Sequence, residues 1–242
     1  MKAMIFAAGL GTRLKPLTDT MPKALVPVCG QPLLYHVLEK LKAAGADDVV
    51  VNVHHFPDMI MDWVRTHDTG TMVRISDERD FLRETGGGIR YAGPLLNGSG
   101  GFLVHNVDIL SNLDIPWMMS RVHGTSLATL VVSERKTSRY LLFDDDMRMV
   151  GWTNITTGEV RTPYRDLDVS KCRKLAFSGI HYISDRIFDV FEQKKVSDRF
   201  SITDFYIDCC ADFPIMGVVP EDFRMIDVGK LDTLAKAEEF LA

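Results

Sequence analysis

Three cations lie close together in a chain of net negative charge: Arg13, Lys15 and Lys23, with only Asp19 opposing them nearby. They accompany Gly9 and Gly11, which follow a short apolar run at residues 3–7. Glycines in such a place let backbone N–H groups come close to an anion, and the side chains add positive charge, as a phosphate chain requires. No Gly-Lys-Ser/Thr follows, so this is not a Walker A loop. Leu14 stands where a dinucleotide fingerprint needs its third glycine. Pro16 stops a helix from starting in the loop and running on. The connection from Ala8 to Gln31 far exceeds the usual ~2–6 residues of a strand-to-helix loop, and long loops in compact domains are usually functional. From glycines and charges alone, a surface loop with solvated cations fits equally well.

Asp108 ends an apolar run at 102–107, and Asp227 lies at the end of another at 223–228, just before Gly229. Two carboxylates at neighbouring strand ends suit a hard cation such as Mg²⁺, shared with water and substrate phosphates. Each taken alone is as simply a strand-end Asp capping a turn. Asp114, Asp144 to Asp146, Asp166 and Asp168 read as solvated turn residues. His54 and His55 have no carboxylate or Cys at metal-ligand spacing and read as structural. Glu84-Thr85-Gly86-Gly87-Gly88 opens a helix predicted over 89–95. The N–H groups at a helix start can bond the carbonyl oxygens of a base; a glycine turn with a Thr cap is the plainer alternative.

The elements that must position these residues alternate in the first half. Strands are expected at 3–7, 48–53, 72–75 and 102–107, and one amphipathic helix carries Leu34, Val37, Leu38 and Leu41 and closes at Gly45. A second helix carries Ile60, Trp63 and Val64. This rhythm predicts an α/β fold, a Rossmann-like, mostly parallel mixed sheet with helices on both faces. Ligands of such sheets gather beyond the carboxyl ends of the strands. The second half is less regular, with strands expected at 126–132, 140–143, 149–152, 176–183 and 223–228 and helices at 184–192 and 202–212. No repeat or linker divides the chain, so one domain spanning 1–242 is expected.

With the opening block Ala7-Ala8-Gly9-Leu10-Gly11-Thr12-Arg13-Leu14-Lys15-Pro16-Leu17-Thr18, followed by Pro22-Lys23-Ala24-Leu25-Val26-Pro27-Val28, the chain resembles the sugar-1-phosphate nucleotidyltransferases. The likeness continues in order through Asn52 to His55, Glu84 to Ile89, Asn106-Val107-Asp108, Phe177 to Ile180 and Asp227-Val228-Gly229. The Glu84 to Ile89 block is similar to that of the N-acetylmuramate 1-phosphate uridylyltransferases of peptidoglycan recycling. The resemblance implies a nucleotide-binding half (about 1–110) and a sugar-phosphate-binding half (about 111–242). It implies that Ala8, Gly9, Gly11, Thr12 and Arg13 hold the nucleotide and that Glu84, Thr85 and Gly86 sit against the base. Arg13, Lys23 and Asp108 would be catalytic, with Asp108 and Asp227 on Mg²⁺. For the sugar phosphate it points to Lys23, Tyr140, Ser178 and Gly179. Many relatives carry Glu-Lys-Pro in the substrate half, where this chain has Trp152-Thr153-Asn154.

The implied chemistry needs no protein nucleophile. A sugar phosphate brings its own oxygen, largely ionised at neutral pH because its second pKa is about 6. Lys23 follows Pro22, and a lysine on such a stiffened segment suits a fixed phosphate contact, so replacing it is expected to cost rate and little stability.

Composition narrows the remaining classes. The 242 residues are 46% apolar, and 28 basic against 33 acidic side chains give −5, which disfavours nucleic-acid or anionic-membrane binding. Cys29, Cys172, Cys209 and Cys210 have no zinc or disulfide spacing and read as reduced thiols. No apolar run is long enough to span a bilayer, and the opening residues have too short an apolar core for a signal peptide, so a cytoplasmic protein is expected, without an appended acyltransferase domain. The expected partners are a nucleoside triphosphate and a sugar 1-phosphate, with a monomer or homodimer both open. Competing assignments are a mannose-1-phosphate guanylyltransferase, a choline-phosphate cytidylyltransferase and a catalytically silent nucleotide-sugar sensor. Retention of Arg13, Lys23, Asp108 and Asp227 together argues against the sensor. Leu14, and the lack of an acidic residue at the second strand's end, argue against a dinucleotide oxidoreductase.

Overall fold

The computed structural model describes residues 1–241. Apolar Lys2–Phe6 forms β1, and the long loop follows as a series of short turns rather than a helix, as Pro16 requires. Pro27–Val28 (β2) and Gln31–Pro32 (β3) make a small hairpin that delivers the chain to α1 (Leu33–Ala43). Leu34, Val37, Leu38 and Leu41 are all buried on one face of α1, and Gly45 at φ +83° turns the chain out of it. Then come β4 (Asp48–Val53), α2 (Pro57–Thr66), β5 (Met72–Asp77), α3 (Glu84–Tyr91), α4 (Gly93–Leu96) and β6 (Gly101–Asn106). β1 pairs in parallel with both β4 and β6, and β4 in parallel with β5, so their carboxyl ends lie along one edge.

The second half runs β7 (Ile109–Ser111), α5 (Ile115–Ser120), β8 (Ala128–Ser133), β9 (Arg139–Phe143), β10 (Met149–Asn154), β11 (Glu159–Arg161) and β12 (Arg173–Ser184). It ends with α6 (Arg186–Lys194), α7 (Ile202–Cys209), β13 (Ile215–Val218), β14 (Met225–Asp227) and α8 (Leu231–Leu241). β12 joins the halves by pairing antiparallel with β6, β8 and β9, and one ten-stranded mixed sheet results. Its register shifts between Phe177 and His181, where Gly179 at φ +73° forms the bulge. One hydrophobic cluster packs α1 and α8 side chains on one face of the sheet, and a second packs those of α3, α6 and α7 on the other. No helix among the described residues is long and apolar enough to cross a membrane.

One element departs from the sequence pattern. The glycines expected in a turn before a helix at 89–95 lie inside α3, which begins at Glu84. The reason is close packing, because a Cβ on Gly86 would stand 2.3 Å from the Phe200 ring and one on Gly87 would stand 2.2 Å from the Asp198 carbonyl. Gly88 is closed in by Glu78 and Asn52, whose side-chain atoms would lie 2.9 and 3.1 Å from its Cβ.

Candidate active site

The glycine loop closes over a cavity of about 410 Å³ at the carboxyl ends of β1 and β6. Gly11 has φ +63°, and a Cβ there would meet Thr18 Cγ2 at 2.8 Å and Lys23 Cβ at 3.2 Å, so both conformation and space demand glycine. The Thr18 hydroxyl donates to the Gly11 carbonyl at 2.8 Å and pins the turn. Gly9, Gly11, Thr12, Arg13, Lys23 and Asp108 all line this cavity, so both glycines and two of the three cations of the opening motif converge on one space. Pro22, in extended conformation, sends Lys23 inward, where it is only 8% exposed and its ammonium donates to the Asp108 carboxylate.

Asp227, an exposed residue, comes alongside this cavity from another direction, two residues before Gly229 of its lining. β14 pairs antiparallel with β7 in a separate two-stranded sheet, with Asp227 across from Ile109, and the Val228 N–H donates to the Asp108 carbonyl at 2.8 Å. A Cβ on Gly229 would lie 2.7 Å from Asp227 Oδ1 and 3.1 Å from Arg13 Nη2, which explains the glycine that follows the acid. Burial raises the Asp227 pKa above 3.8 and the Asp108 charge raises it further, while Lys23, Arg13 and Arg135 pull it down. Two carboxylates that repel across a cavity are a fitting seat for a divalent cation, which would relieve that repulsion. Among the described residues there is no cluster of three or more His, Cys, Asp or Glu able to hold a metal, so a cation at these two acids would need its remaining ligands from substrate oxygens and water.

A second cavity, about 360 Å³, opens from the first, sharing Phe6, Gly9 and Thr85 with it. Ala8, Asn52, Leu82, Glu84 and Ser201 complete its wall. Asn52 is buried and fixed from both ends, its Oδ1 accepting from the Ala7 N–H and its Nδ2 donating to Glu78 Oε1, both at 2.8 Å. Glu78 is fully buried, and that burial raises its carboxyl pKa. Glu84 and Thr85 line this cavity; Glu84 also accepts from Arg199 Nε at 2.9 Å and Thr85 Oγ1 from the Ile202 N–H at 2.9 Å. The Gly86 N–H is already spent on the Phe200 carbonyl at 2.9 Å, so Gly86 stands where it does for packing and offers no free donor. His54 and His55 bond the Glu78 and Thr18 carbonyls and are structural.

A third cavity, about 420 Å³, lies between α7 and the face of β9, β10 and β11. Leu141, Trp152 and Arg161 are direct cross-strand neighbours on that face, with Arg139 one pair-step along β9. Ser201 belongs to both the second and third cavities. Of the residues expected on the sugar phosphate, Tyr140 sits on the opposite face of the sheet, beside Glu134, Ile155 and Lys174, because neighbouring strand residues point to opposite sides. Ser178 is buried, and its Oγ has no hydrogen-bond partner among the described residues. Gly179 is set behind the first cavity, where a Cβ would lie 2.7 Å from Asn106 Nδ2. Asn52, Ser201 and the arginines 135, 139 and 161 are absent from the sequence-level set. Only strand register could have found the last two.

The nucleotidyl transferase family model matches residues 2–146. The chain is 32% identical over 99% of its length to the N-acetylmuramate alpha-1-phosphate uridylyltransferase of Caulobacter vibrioides, covering 96% of that protein. It is 34% identical to mannose-1-phosphate guanylyltransferase 1 of Arabidopsis thaliana, over 58% of this chain and 40% of the plant protein. In fold it is similar to UDP-glucose pyrophosphorylase, solved in complex with UDP-glucose, at a TM-score of 0.77 and 16% identity, covering 99% of this chain and 97% of that one.

Proposed function

The chain belongs to the nucleotidyl transferase family, as a sugar-1-phosphate nucleotidyltransferase, and from that premise we propose that it transfers the uridylyl group of UTP to N-acetylmuramate 1-phosphate with Mg²⁺ as cofactor. The observation that carries this reading is a run of three cavities, the first sharing Phe6, Gly9 and Thr85 with the second and the second sharing Ser201 with the third, with Arg13, Lys23 and Asp108 lining the first and Asp227 beside it. One cavity of each kind is what a base, a phosphate chain and a sugar need. The similarity to the Caulobacter protein along nearly the whole chain, sugar half included, favours its substrate pair over that of the plant guanylyltransferase.

In this reading the sugar's phosphate oxygen attacks the α-phosphorus of UTP, the new P–O bond forms as the α–β bridge breaks, and pyrophosphate leaves. Asp108 and Asp227 would hold Mg²⁺, whose chemistry there is to neutralise triphosphate oxygens and polarise the α-phosphorus. Lys23 bonds Asp108 in the free protein and lies within reach of a phosphate in the same cavity. Its charge gains most as the two anions meet, which is how a positioned cation lowers a barrier rather than merely binding. Arg13 approaches from the loop, and the Gly9 to Thr12 backbone presents N–H groups to the nucleotide phosphates. Asn52 and Thr85 are fixed polar groups for the base, and a site that hydrogen-bonds one base edge rejects another strongly because its own groups are then stranded.

Pyrophosphate release across four nucleoside triphosphates and a panel of sugar 1-phosphates tests the assignment. UTP with N-acetylmuramate 1-phosphate is expected to be fastest. Faster turnover of GTP with mannose 1-phosphate would hand the chain to the guanylyltransferases, and no turnover with any pair would point to the sensor.

A further inference from the structure

The third cavity is more basic than a neutral sugar requires. Three arginines (135, 139 and 161) line it against one carboxylate, Asp204, in a chain whose overall charge is −5. Arg135 is near enough to act on Asp227, which puts it on the side of the proposed phosphate site. Arg139 and Arg161 lie farther along the sheet. They are two strands and one pair-step apart on the same face, flanking Trp152, and two strand spacings are about 10 Å, a gap that two long side chains can reach into from either side. Asp204 Oδ1 accepts from Arg161 Nη1 at 2.6 Å and so orients that guanidinium. The Arg139 guanidinium makes no hydrogen bond or ion pair with any described residue.

Neutral hydroxyls can be held by amides, carboxylates and backbone groups. A planar guanidinium is the better match for a carboxylate, which it takes through two parallel N–H···O bonds. We propose that Arg139, assisted by Arg161, binds a carboxylate carried by the sugar, so that this cavity selects an acidic sugar 1-phosphate over its neutral counterpart. This rests on the sugar 1-phosphate reading above and deepens it. N-acetylmuramate carries such a group as a lactyl ether on its ring, and N-acetylglucosamine is the same ring without it. Trp152 and Phe177 provide the apolar surface on which a pyranose face packs.

The test is the ratio of kcat/KM for N-acetylmuramate 1-phosphate to that for N-acetylglucosamine 1-phosphate, measured with whichever triphosphate the wild-type enzyme turns over fastest. The wild-type ratio is expected to exceed 100. Arg139→Gln is expected to lower it about 10–100-fold, the range of one hydrogen-bonded charge pair, mainly through KM for the acidic sugar. Arg161→Gln is expected to lower it less, because Asp204 already shares that cation, and Arg139→Lys should restore part of it. Arg139 is exposed, so the fold should tolerate all three, which thermal melts would check. A ratio that does not move in Arg139→Gln, including equal losses on both sugars, overturns the arginine assignment and leaves the muramate reading standing. A wild-type enzyme that uses the neutral sugar as well as the acidic one overturns both.

Discussion

Around the first and second cavities, in the parallel half, the walls rest on closely packed backbone: the loop whose Gly9 faces both cavities and whose Gly11 faces the first, and α3, pressed through Gly86 and Gly87 onto Phe200 and Asp198. Around the third cavity, in the antiparallel half, the walls are long side chains standing on a sheet face: Arg139, Trp152, Arg161 and Phe177. A wall of backbone can change little without unfolding its neighbours, whereas a wall of side chains can be rewritten one residue at a time. The triphosphate is common ground for enzymes of this chemistry, and the sugar is where they must differ. In the proposed reading this division of materials follows a division of tasks, triphosphate against sugar.

The sharpest way to break the proposed division is at the two acids. Asp108→Asn and Asp227→Asn should each reduce kcat by roughly 10²-fold or more at saturating Mg²⁺, the scale of losing one major charge-stabilising group. Near-normal turnover in either variant would remove that acid from the metal site. Lys23→Ala should cost about 10–100-fold in kcat/KM. Here the structure corrects the expectation of unchanged stability, because Lys23 is nearly buried and its loss leaves the Asp108 carboxylate without its partner. About 1–2 kcal/mol of unfolding free energy should go with it, discounted because Asp108 keeps some exposure, and denaturant titration would show this. Lys23→Arg should restore only part of the rate, since a planar fork does not replace a compact point charge.

The claim of rigid walls is tested by glycine replacement. Gly87→Ala drives a methyl at the Asp198 carbonyl and should destabilise by about 1–3 kcal/mol, the usual cost of overpacking. Gly124→Ala, with nothing within 4 Å of the added Cβ, should stay within about 0.5 kcal/mol. Equal costs at the two sites would show that α3 yields easily and that its glycines are not structural. The smallest expected effect is electrostatic. Asp227 has a raised pKa in the fold, so between 3.8 and that raised value the folded protein holds a proton the unfolded chain has released. Its contribution to stability therefore falls as pH rises through that window. Mg²⁺ affinity should weaken on acidification at a higher pH than for an ordinary aspartate. Asp108→Asn removes one cause of the shift, so Asp227 should then titrate lower in a carbon NMR titration. An unchanged midpoint would mean the two carboxylates do not feel each other.

How far the sequence reveals this arrangement differs between the halves. Strand β4 occupies Asp48–Val53, the bounds its valine-rich run predicts, and the loop glycines meet Arg13 and Lys23 in one cavity. Local chemistry suffices there, because a buried parallel strand and a phosphate loop are each written in consecutive residues. The glycines of α3 mislead, since glycine disfavours helix and only the nearness of Phe200 and Asp198, more than a hundred residues away, explains them. In the sugar half the information lies in register. Arg139 and Tyr140 differ by one position and face opposite sides of the sheet, and a one-residue error in parity exchanges them. Short β11 does not stand out as an apolar run, yet it places Arg161 across from Trp152.

A crystal structure with UDP-N-acetylmuramate and Mg²⁺ tests the division of labour most directly. The account places the uracil in the cavity of Asn52, Thr85 and Ser201, the diphosphate against Arg13 and Lys23 with the metal on Asp108 and Asp227, and the sugar between Trp152 and α7 with its carboxylate at Arg139. A sugar bound instead on the face of Tyr140 and Lys174, or a metal that touches neither aspartate, would contradict it.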